Sequence, residues 1–263
     1  MGPIGCVFFL RPECILRAYS VFEVSVMDLS VVMDNLGFLV GCTAIVAGLG
    51  LGASVVEKFL PEKRKVSTAR RVSIIGICAA IATVLHILDF PVLFLAPGFY
   101  KLDFSEVPVL LCGFYLGPSA TVLCEGVKIL LKLLLKGTST AFVGDLANFV
   151  VGCSLVIPAA IVYHIRKTRK LAIWGMVTGT AFLTVFGSLF NAVYLLPKFS
   201  ELFGLPLDTI VAMGTAINGN VSNVSNFVLL CVAPLNLIKG IAVSVLTLLL
   251  YKHVEKAIFS RGK

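Results

Sequence analysis

The sequence predicts an all-α integral membrane protein, and three observations carry that prediction. Hydrophobic residues make up 58% of the 263-residue chain and charged residues only 14%, with a mean hydropathy of +1.00, whereas about a quarter of a soluble domain is charged. The apolar residues fall in runs close to the length of about 20 residues that a helix needs to cross a bilayer. Lysine and arginine collect in alternate loops, as they do in cytoplasmic loops. We therefore exclude an ordinary soluble domain and attribute the net charge of +8 to membrane orientation, not to nucleic-acid binding.

Seven apolar runs are predicted to be membrane spans. The third is short and ends at Gly117 and Pro118, where we expect a tight bend because proline cannot continue a helix. Glycines four residues apart in the first run permit close helix packing, although a lipid-facing helix with chance spacing explains them equally well. The seven predicted spans are residues 36–56, 72–88, 107–116, 119–135, 141–165, 171–196 and about 227–251.

The loop charges predict the orientation of the chain. Fourteen lysines and arginines lie in the loops expected to be cytoplasmic, which are residues 57–71, 166–170 and the tail after residue 251. Only three lie in the loops expected on the outer side, which are residues 89–106, 136–140 and 197–226. An excess of basic residues marks the cytoplasmic side. The N terminus is therefore expected outside and the C terminus in the cytoplasm.

The N-terminal stretch and the cysteines each have a simple interpretation. The short apolar stretch near the N terminus is a poor signal peptide, and Met27 or Met33 is an alternative start. The eight cysteines are scattered singly with no CxxC pair. We expect buried thiols, with neither a disulfide framework nor a metal site.

Charged residues inside predicted spans usually mark ligand or ion pathways. Glu125, Lys128 and Lys132 follow one another at steps of three and four, so they share one helix face. One interpretation is structural: Glu125 pairs with Lys128, while Lys132 and Lys136 reach the outer interface. The alternative is a face that contacts a ligand or a partner.

The last span carries Asn236 and Lys239 one turn apart on one face, just after Pro234. Pro234 lacks an N–H group and loosens the backbone before Asn236, and a lysine at this depth cannot easily reach water. A buried polar ligand would satisfy both side chains, and an amide with a cationic donor suits a planar imide or pyrimidine-like edge. The structural alternative pairs Lys239 with Glu125 or Asp145 across the bundle.

Other polar residues are predicted to lie toward the outer half of the membrane. Asp145 and Asn148 fall in the first turns of one span, and Asn191 falls near the outer end of the next. Asp145 is also explained by a helix N-terminus, which stabilises negative charge. The loop at residues 99–108 mixes aromatic residues with opposite charges, which is typical of a lid over an outward-facing site, or else of an ordinary solvated loop.

Several classes of enzyme have no signature in the chain. The sequence contains no HExxH, no GxSxG and no phosphate-binding GxxxxGK[ST], and its three histidines are far apart in sequence. Neither a metalloprotease, a serine hydrolase nor a built-in ATPase is indicated, so we predict no catalytic residues, no metal and no resident cofactor. A proton-driven carrier would ordinarily show several intramembrane carboxylates or an internal repeat of spans.

Four motifs, taken in order, resemble those of a known family. The chain is similar to the riboflavin-specific substrate-binding component, or S component, of energy-coupling factor (ECF) transporters from about residue 68 to about residue 256. The motifs are Lys101-Leu102-Asp103-Phe104-Ser105-Glu106-Val107-Pro108, Gly113-Phe114-x-Leu116-Gly117-Pro118, Gly137-Thr138-Ser139-Thr140 with Gly144-Asp145-Leu146-Ala147-Asn148-Phe149, and Pro234-Leu235-Asn236-Leu237-Ile238-Lys239-Gly240.

The resemblance implies a six-helix bundle in the bacterial cell membrane that binds riboflavin from outside. It also implies partners that supply energy, namely one transmembrane coupling protein and two ATPase subunits, so this chain would hydrolyse nothing. The residues that it implies for ligand binding are Asn236 and Lys239 on the last helix, Asn191 on the fifth, and the loop residues Leu102, Asp103, Phe104 and Glu106. Asp145 and Asn148 are added as candidate binding residues because they are polar and predicted to lie in the outer half. Small residues of the first family helix would contact the coupling protein, and here they are Gly76, Ala79, Ala80 and Thr83.

Two features depart from the family pattern. An additional N-terminal transmembrane helix precedes the six, so we expect residues 1–66 to form an extension and residues 67–263 the riboflavin-binding domain. The outer loop 197–226 is long and polar. The alternatives that stay open are an S component for another vitamin or flavin precursor, and a self-contained ion-coupled carrier in which Glu125 or Asp145 titrates.

Overall fold

A computed structural model describes residues 36–60, 66–138, 140 and 142–254 of the chain, with side chains described for residues 44–251 apart from a few positions. It is a helical bundle. The predictions about Met27, Met33 and the basic tail fall outside these residues. The helices are α1 (Leu36–Phe59), α2 (Thr68–Ile87), α3 (Glu106–Leu116), α4 (Pro118–Lys136), α5 (Val143–His164), α6 (Arg169–Phe190), α7 (Leu196–Phe203), α8 (Leu207–Ile217), α9 (Val224–Phe227) and α10 (Ala233–Val254).

Within the described residues, four helical segments are long and apolar enough to cross a membrane. They are Thr68–Ile87, Val143–His164, Arg169–Phe203 and Val224–Tyr251. The α3 helix is apolar but short, as predicted, and α4 carries the charged residues of its predicted span. The six helices α2 to α6 and α10, with α1 added before them, confirm the predicted fold class.

The bend between α3 and α4 confirms the prediction at Gly117 and Pro118. Gly117 has φ +112°, a backbone conformation that residues with a side chain rarely adopt. Pro118 occupies the first turn of α4, where its missing N–H group costs no helical hydrogen bond.

Small residues bring the central helices close together. A methyl group at Gly175 or Gly179 of α6 would lie 2.7 Å and 2.5 Å from the carbonyl oxygens of Ala159 and Leu155 on α5. On the other side of α6, Thr180 Oγ1 lies 3.1 Å from Ser244 Oγ of α10. Such close backbone approach is the usual way in which helices associate within a membrane.

Two π-helical turns interrupt long helices near the end of the bundle that is predicted to face outward, which is called the outer end below. Asn191–Leu195 joins α6 to α7, and Val228–Val232 joins α9 to α10. Each lies just before a proline, Pro197 or Pro234. A proline displaces the preceding backbone carbonyls, and a wider turn accommodates them. The prediction that Pro234 alters the backbone before Asn236 is thereby confirmed.

The helix ends alternate between the two ends of the bundle as the span prediction requires. Glu57 at the end of α1 and Arg71 at the start of α2 both contact Ser119 at the start of α4. At the same end, Tyr163 of α5 contacts Tyr251 of α10. The described ends of the basic loop 57–71, together with loop 166–170, therefore adjoin one end of the bundle, and the sidedness of that end in the cell stays a prediction.

The N-terminal helix α1 packs on α4 and α5. Its Glu57 carboxylate accepts a hydrogen bond from the Ser119 backbone N–H at 3.1 Å, which caps the positive end of α4. No described atom lies within 4 Å of a methyl group placed at Gly48 or Gly52, two glycines of the first run that are four residues apart, so this pair makes no close contact within the described part of the chain.

The predicted outer loop 197–226 is largely helical, which corrects the expectation of a long polar loop. The α6 helix continues through its π turn to Phe203, and α8 follows. Apolar residues cause this, because Leu196, Ile210 and Phe227 are buried in a cluster at the outer end of the bundle. The other outer loop contributes to the same cluster through Tyr100 and Leu102, next to a short antiparallel pairing of β1 (Phe90–Pro91) with β2 (Lys101–Leu102).

The described cysteines confirm the expectation of free thiols. Cys112, Cys124, Cys153 and Cys231 are buried and Cys78 is partly buried, and each is a free cysteine.

Candidate binding site

A buried charge cluster lies in the outer half of the bundle and consists of Asp103, Glu106, Glu125, Lys128 and Lys239. Lys239 Nζ of α10 lies 3.2 Å from Asp103 Oδ2 and 3.0 Å from Glu106 Oε1. Glu106 is in the first turn of α3, where the helix dipole stabilises a negative charge. Lys239 is therefore paired, but with Asp103 and Glu106, so the predicted alternative partners Glu125 and Asp145 were wrong.

Lys128 of α4 holds the inner part of the cluster together. Its side chain is fully buried and contacts Glu125 one turn earlier, as the structural interpretation predicted. The same ammonium lies 3.6 Å from Glu106 Oε1 and donates to Ser105 Oγ at 3.0 Å. Glu106 Oε1 is therefore shared between Lys128 and Lys239.

The loop carboxylate Asp103 is held in a local turn. Its Oδ1 accepts hydrogen bonds from the backbone N–H of Ser105 at 2.9 Å and from the Ser105 hydroxyl. His86 Nδ1 of α2 lies 3.3 Å from Asp103 Oδ2, without the alignment of a hydrogen bond. Burial alone raises the pKa of Asp103, but Lys239 and His86 outweigh it and hold that pKa well below its ordinary value.

Asn236 presents an unused hydrogen-bond donor one turn before Lys239. The residue is only 7% exposed, and its Nδ2 has no hydrogen-bond partner among the described residues. Its amide lies over α6 at Gly187, where an added methyl group would be 2.9 Å from Asn236 Nδ2. A buried donor without a partner is costly, so the site is built to receive an acceptor at this point.

Asn191 is engaged by the outer loop. Its Oδ1 accepts a hydrogen bond from the Tyr100 hydroxyl at 2.9 Å, and its Nδ2 donates to Gly187 O at 2.8 Å. Asn191 and Asn236 thus both lie close to Gly187. Asn191 donates to its backbone carbonyl, and Asn236 occupies the space that a side chain at this position would fill. The first residue of the π turn is Asn191 itself, and such turns frequently mark functional positions.

Leu102 and Phe104 flank Asp103 and anchor the loop on apolar surfaces. Leu102 is buried in the outer cluster together with Tyr100. Phe104 packs between the outer cluster and the main core and lies 6.0 Å from Phe90, ring centre to ring centre. The loop is therefore packed over the site and is not a freely solvated segment.

Two predicted site residues lie apart from the charge cluster. Asp145 Oδ1 pairs with Lys132 Nζ at 2.6 Å, so Lys132 does not simply extend to the interface. Lys136 is half exposed and lies 3.6 Å from Asp89. Asn148 is half-buried one turn beyond Asp145 and has no hydrogen bond to the cluster within the described part of the chain.

The four small residues predicted to contact a partner do not form one free surface. Gly76 and Ala80 are exposed on α2. Ala79 and Thr83 are buried within the chain, and Thr83 Oγ1 donates to Lys128 O of α4 at 3.2 Å. Ala79 and Thr83 are therefore corrected from partner contacts to packing contacts, because the face that they share is covered by the bundle.

Three residues at the site were not singled out from the sequence. His86, one of three histidines that are far apart in sequence, contacts Asp103, and Tyr100 contacts Asn191 across 91 positions, so no local spacing indicates either contact. Ser105 is different, since an aspartate two residues before a serine commonly forms such a turn. That local pattern was available in the sequence.

These features define a membrane-embedded binding protein. An amide donor and a lysine lie on one helix face, two carboxylates hold the lysine, and a packed loop covers them. Such a set of groups can orient a planar ligand that carries hydrogen-bond acceptors.

The comparisons with known proteins identify the family. Residues 70–251 match the family model described as ECF transporter, substrate-specific component. The chain therefore belongs to the substrate-specific components of ECF transporters.

Individual relatives agree with this assignment. The chain is 34% identical to the riboflavin transporter RibU of Staphylococcus aureus (strain TCH60), over 73% of this chain and 94% of that protein. It is 29% identical to the riboflavin transporter FmnP of Bacillus subtilis (strain 168), over 69% and 90%. A solved structure of the S component of a bacterial ECF transporter superposes with a TM-score of 0.57 and 31% identity, covering 73% of this chain and 99% of that one.

Proposed function

We propose that this chain is the riboflavin-binding subunit of an ECF importer, which captures the vitamin from outside for uptake driven by ATP hydrolysis in partner subunits. Two relatives from different organisms are named as riboflavin transporters, and the chain covers 94% and 90% of their lengths. The observation on this chain that carries the proposal is the buried, unpaired Asn236 Nδ2 one turn from Lys239.

The polar edge of the flavin ring suits this pair of residues. Its carbonyl oxygens and ring nitrogens accept hydrogen bonds, and Asn236 Nδ2 and Lys239 Nζ donate them. Lys239 keeps its carboxylate partners while one of its three protons remains for the ligand. In this proposal Leu102, Phe104 and the Tyr100–Asn191 contact close the loop over the bound ring.

Further proposals concern the organisation of the chain and its partners. Residues 67–263 form the riboflavin-binding domain and residues 1–66 an extension whose helix α1 stays on the bundle. The energising module consists of one transmembrane coupling protein and two ATPases, and the exposed Gly76 and Ala80 of α2 face it. The loops 57–71 and 166–170 lie in the cytoplasm, as their basic residues favour. The chain itself catalyses no reaction.

Titration of the detergent-purified chain with riboflavin tests the proposed function. Bound flavin is expected to lose fluorescence in a saturable manner near one flavin per chain, and the purified chain is expected to carry some yellow flavin. A folded chain that leaves riboflavin fluorescence unchanged at all concentrations would instead indicate another vitamin. Uptake that a protonophore abolishes and loss of the ATPases does not would indicate an ion-coupled carrier.

A further inference from the structure

His86 contacts the buried charge cluster from the last turn of α2. Its Nδ1 lies 3.3 Å from Asp103 Oδ2, the same oxygen that Lys239 Nζ approaches to 3.2 Å. The residue is only 6% exposed, and its Nδ1 has no hydrogen-bond partner among the described residues. The contact therefore joins α2 to the loop carboxylate that also holds Lys239.

The charge of the His86 ring decides whether the cluster and its surroundings are neutral. The cluster contains three carboxylates and two ammonium groups. An imidazolium at His86 supplies the third positive charge, whereas a neutral imidazole leaves one negative charge without a partner. An unbalanced charge in the interior of a membrane protein is strongly unfavourable.

The position of the ring favours the imidazolium in two further ways. His86 lies at the C-terminal end of α2, where the helix dipole stabilises a positive charge. An imidazolium carries a proton on both ring nitrogens, so its Nδ1 faces Asp103 Oδ2 as a cationic N–H group. A bare Nδ1 would instead bring its lone pair against the carboxylate oxygen.

We propose that His86, in its imidazolium form, positions Asp103 and Lys239 for riboflavin binding, and that loss of its proton to water weakens that binding. The imidazolium shares Asp103 Oδ2 with Lys239, so this carboxylate does not occupy the ammonium alone. Without it, the excess negative charge draws the Lys239 protons toward Asp103 and Glu106 and away from a ligand acceptor.

The loop over the site depends on the same contact. Asp103 is flanked by Leu102 and Phe104, which pack on the outer cluster. Loss of the cationic partner on α2 loosens this carboxylate and the loop that carries it. His86 acts through Asp103 and Lys239 and is a positioning residue. The link to riboflavin rests on the proposed function.

The other charged groups on the elements around His86 are paired within the described part of the chain. Buried uncharged groups on the same elements are Tyr100, Tyr115, Cys112 and Cys124. The charged pairs are Lys128 with Glu125 and Glu106, Lys239 with Glu106, Lys132 with Asp145, and Lys101 and Lys136 with Asp89.

The experiment measures riboflavin Kd for the full chain in detergent from about pH 5.5 to about pH 9, which spans the ordinary titration of histidine. The wild-type Kd is expected to be constant at the acidic end and to rise with pH by about tenfold or more, as for the loss of a hydrogen bond to a charged group. His86→Gln is neutral at every pH, so its Kd should equal the alkaline value of the wild type throughout. His86→Lys keeps a positive charge and should retain tight binding at the alkaline end.

The matched control is the other buried histidine of the described residues, His164. It lies at the opposite end of the bundle, where its Nε2 is 2.9 Å from Gly113 O. His164→Gln keeps a side chain that can donate to this carbonyl, and we expect the wild-type pH profile. A wild-type Kd that does not change with pH, or the wild-type profile in His86→Gln, would refute the proposal.

A second readout does not need riboflavin. Nitrogen-15 NMR of the ligand-free chain with labelled histidine identifies the His86 signals by their absence in His86→Gln. These signals are expected to show an imidazolium at the acidic end of the range and to lose it over the interval in which Kd rises. A ring that is neutral at every pH would refute the proposal, whether or not riboflavin binds. An imidazolium in a folded chain that binds no riboflavin at any pH would support the charge assignment and refute the proposed function.

Discussion

Gly187 should position the amide of Asn236, and the substitution Gly187→Ala tests this. The added methyl group would lie 2.9 Å from Asn236 Nδ2 and 3.4 Å from Val151 Cγ1. Ordinary carbon–nitrogen contacts begin near 3.4 Å, so the amide must retreat by about 0.5 Å, or α6 and α10 must separate by a similar amount. Either movement lengthens a hydrogen bond from Asn236 Nδ2 to a ligand beyond its useful range.

The expected loss follows from the energy of one buried hydrogen bond. A neutral bond contributes about 0.5–1.5 kcal/mol, and an acceptor left buried without its donor costs about 1–3 kcal/mol. We therefore expect Gly187→Ala to weaken riboflavin binding by about 1–2 kcal/mol, or roughly 5- to 30-fold in Kd. Quenching of flavin fluorescence during titration of the purified chain measures this directly.

The matched control is Gly126→Ala on α4. It also adds one methyl group to a helical glycine, but the nearest atom would be Phe149 Cε2 at 3.8 Å, an ordinary contact. We expect its Kd to stay within about twofold of wild type, because nothing must move. Equal Kd values for wild type, Gly187→Ala and Gly126→Ala would refute the role assigned to Asn236. Equal losses in both variants would point to a general packing effect.

Four further substitutions test other parts of the site and the two faces of α2. Lys239→Ala removes a desolvated charged donor, so riboflavin Kd should rise by about one to two orders of magnitude, from about 1.5–3 kcal/mol; an unchanged Kd would place Lys239 outside the site. Tyr100→Phe removes the 2.9 Å hydrogen bond to Asn191, and stopped-flow release of bound riboflavin should be severalfold faster, since about 1 kcal/mol of loop closure is lost. Ala80→Leu on the exposed face should keep riboflavin binding and reduce co-purification with the energy-coupling module. Ala79→Leu should instead lower the melting temperature, because overpacking a buried position costs about 1–3 kcal/mol; the same phenotype in both variants would contradict the division of this helix into two faces.

The last helix, α10, shows which features of the binding site a local sequence pattern can predict. A spacing of three residues places Asn236 and Lys239 on one face of any helix, and Pro234 signals an altered backbone before them. Both were predicted and both are present. The partners of Lys239 were not predicted correctly, because Asp103 is separated from it by 136 positions and enters the site only through the packing of the outer loop.

Helix α2 shows what a sequence pattern alone cannot predict. Composition indicated a row of small residues on α2, but it did not indicate which of them the bundle covers. Ala79 and Thr83 turn toward α4, while Gly76 and Ala80 turn away from it. Small residues serve equally for packing within a chain and for packing against a partner, so only the neighbours distinguish the two roles.

The outer segment 197–226 differed from its prediction for a related reason. Its polar, asparagine-rich stretch at residues 218–226 favoured a loop, but non-helical residues occur only at 204–206 and 218–223. Before it, Leu196 and Ile210 find apolar partners contributed by Tyr100 and Phe227, and burial against them stabilises α7 and α8. Helices this short depend on tertiary packing, which is absent from the local sequence.

The sequence by itself determined the order of the main helices, the charged residues within them, the bend at Gly117, and the family resemblance. These are set by hydropathy, helical spacing and backbone chemistry, which act over a few residues. Only the tertiary structure decided that Glu106 contacts two lysines, that His86 meets Asp103, and that Asn236 keeps an unused donor over Gly187. Those contacts join segments far apart in the chain, and the energy of a buried charge or donor depends on every group that surrounds it.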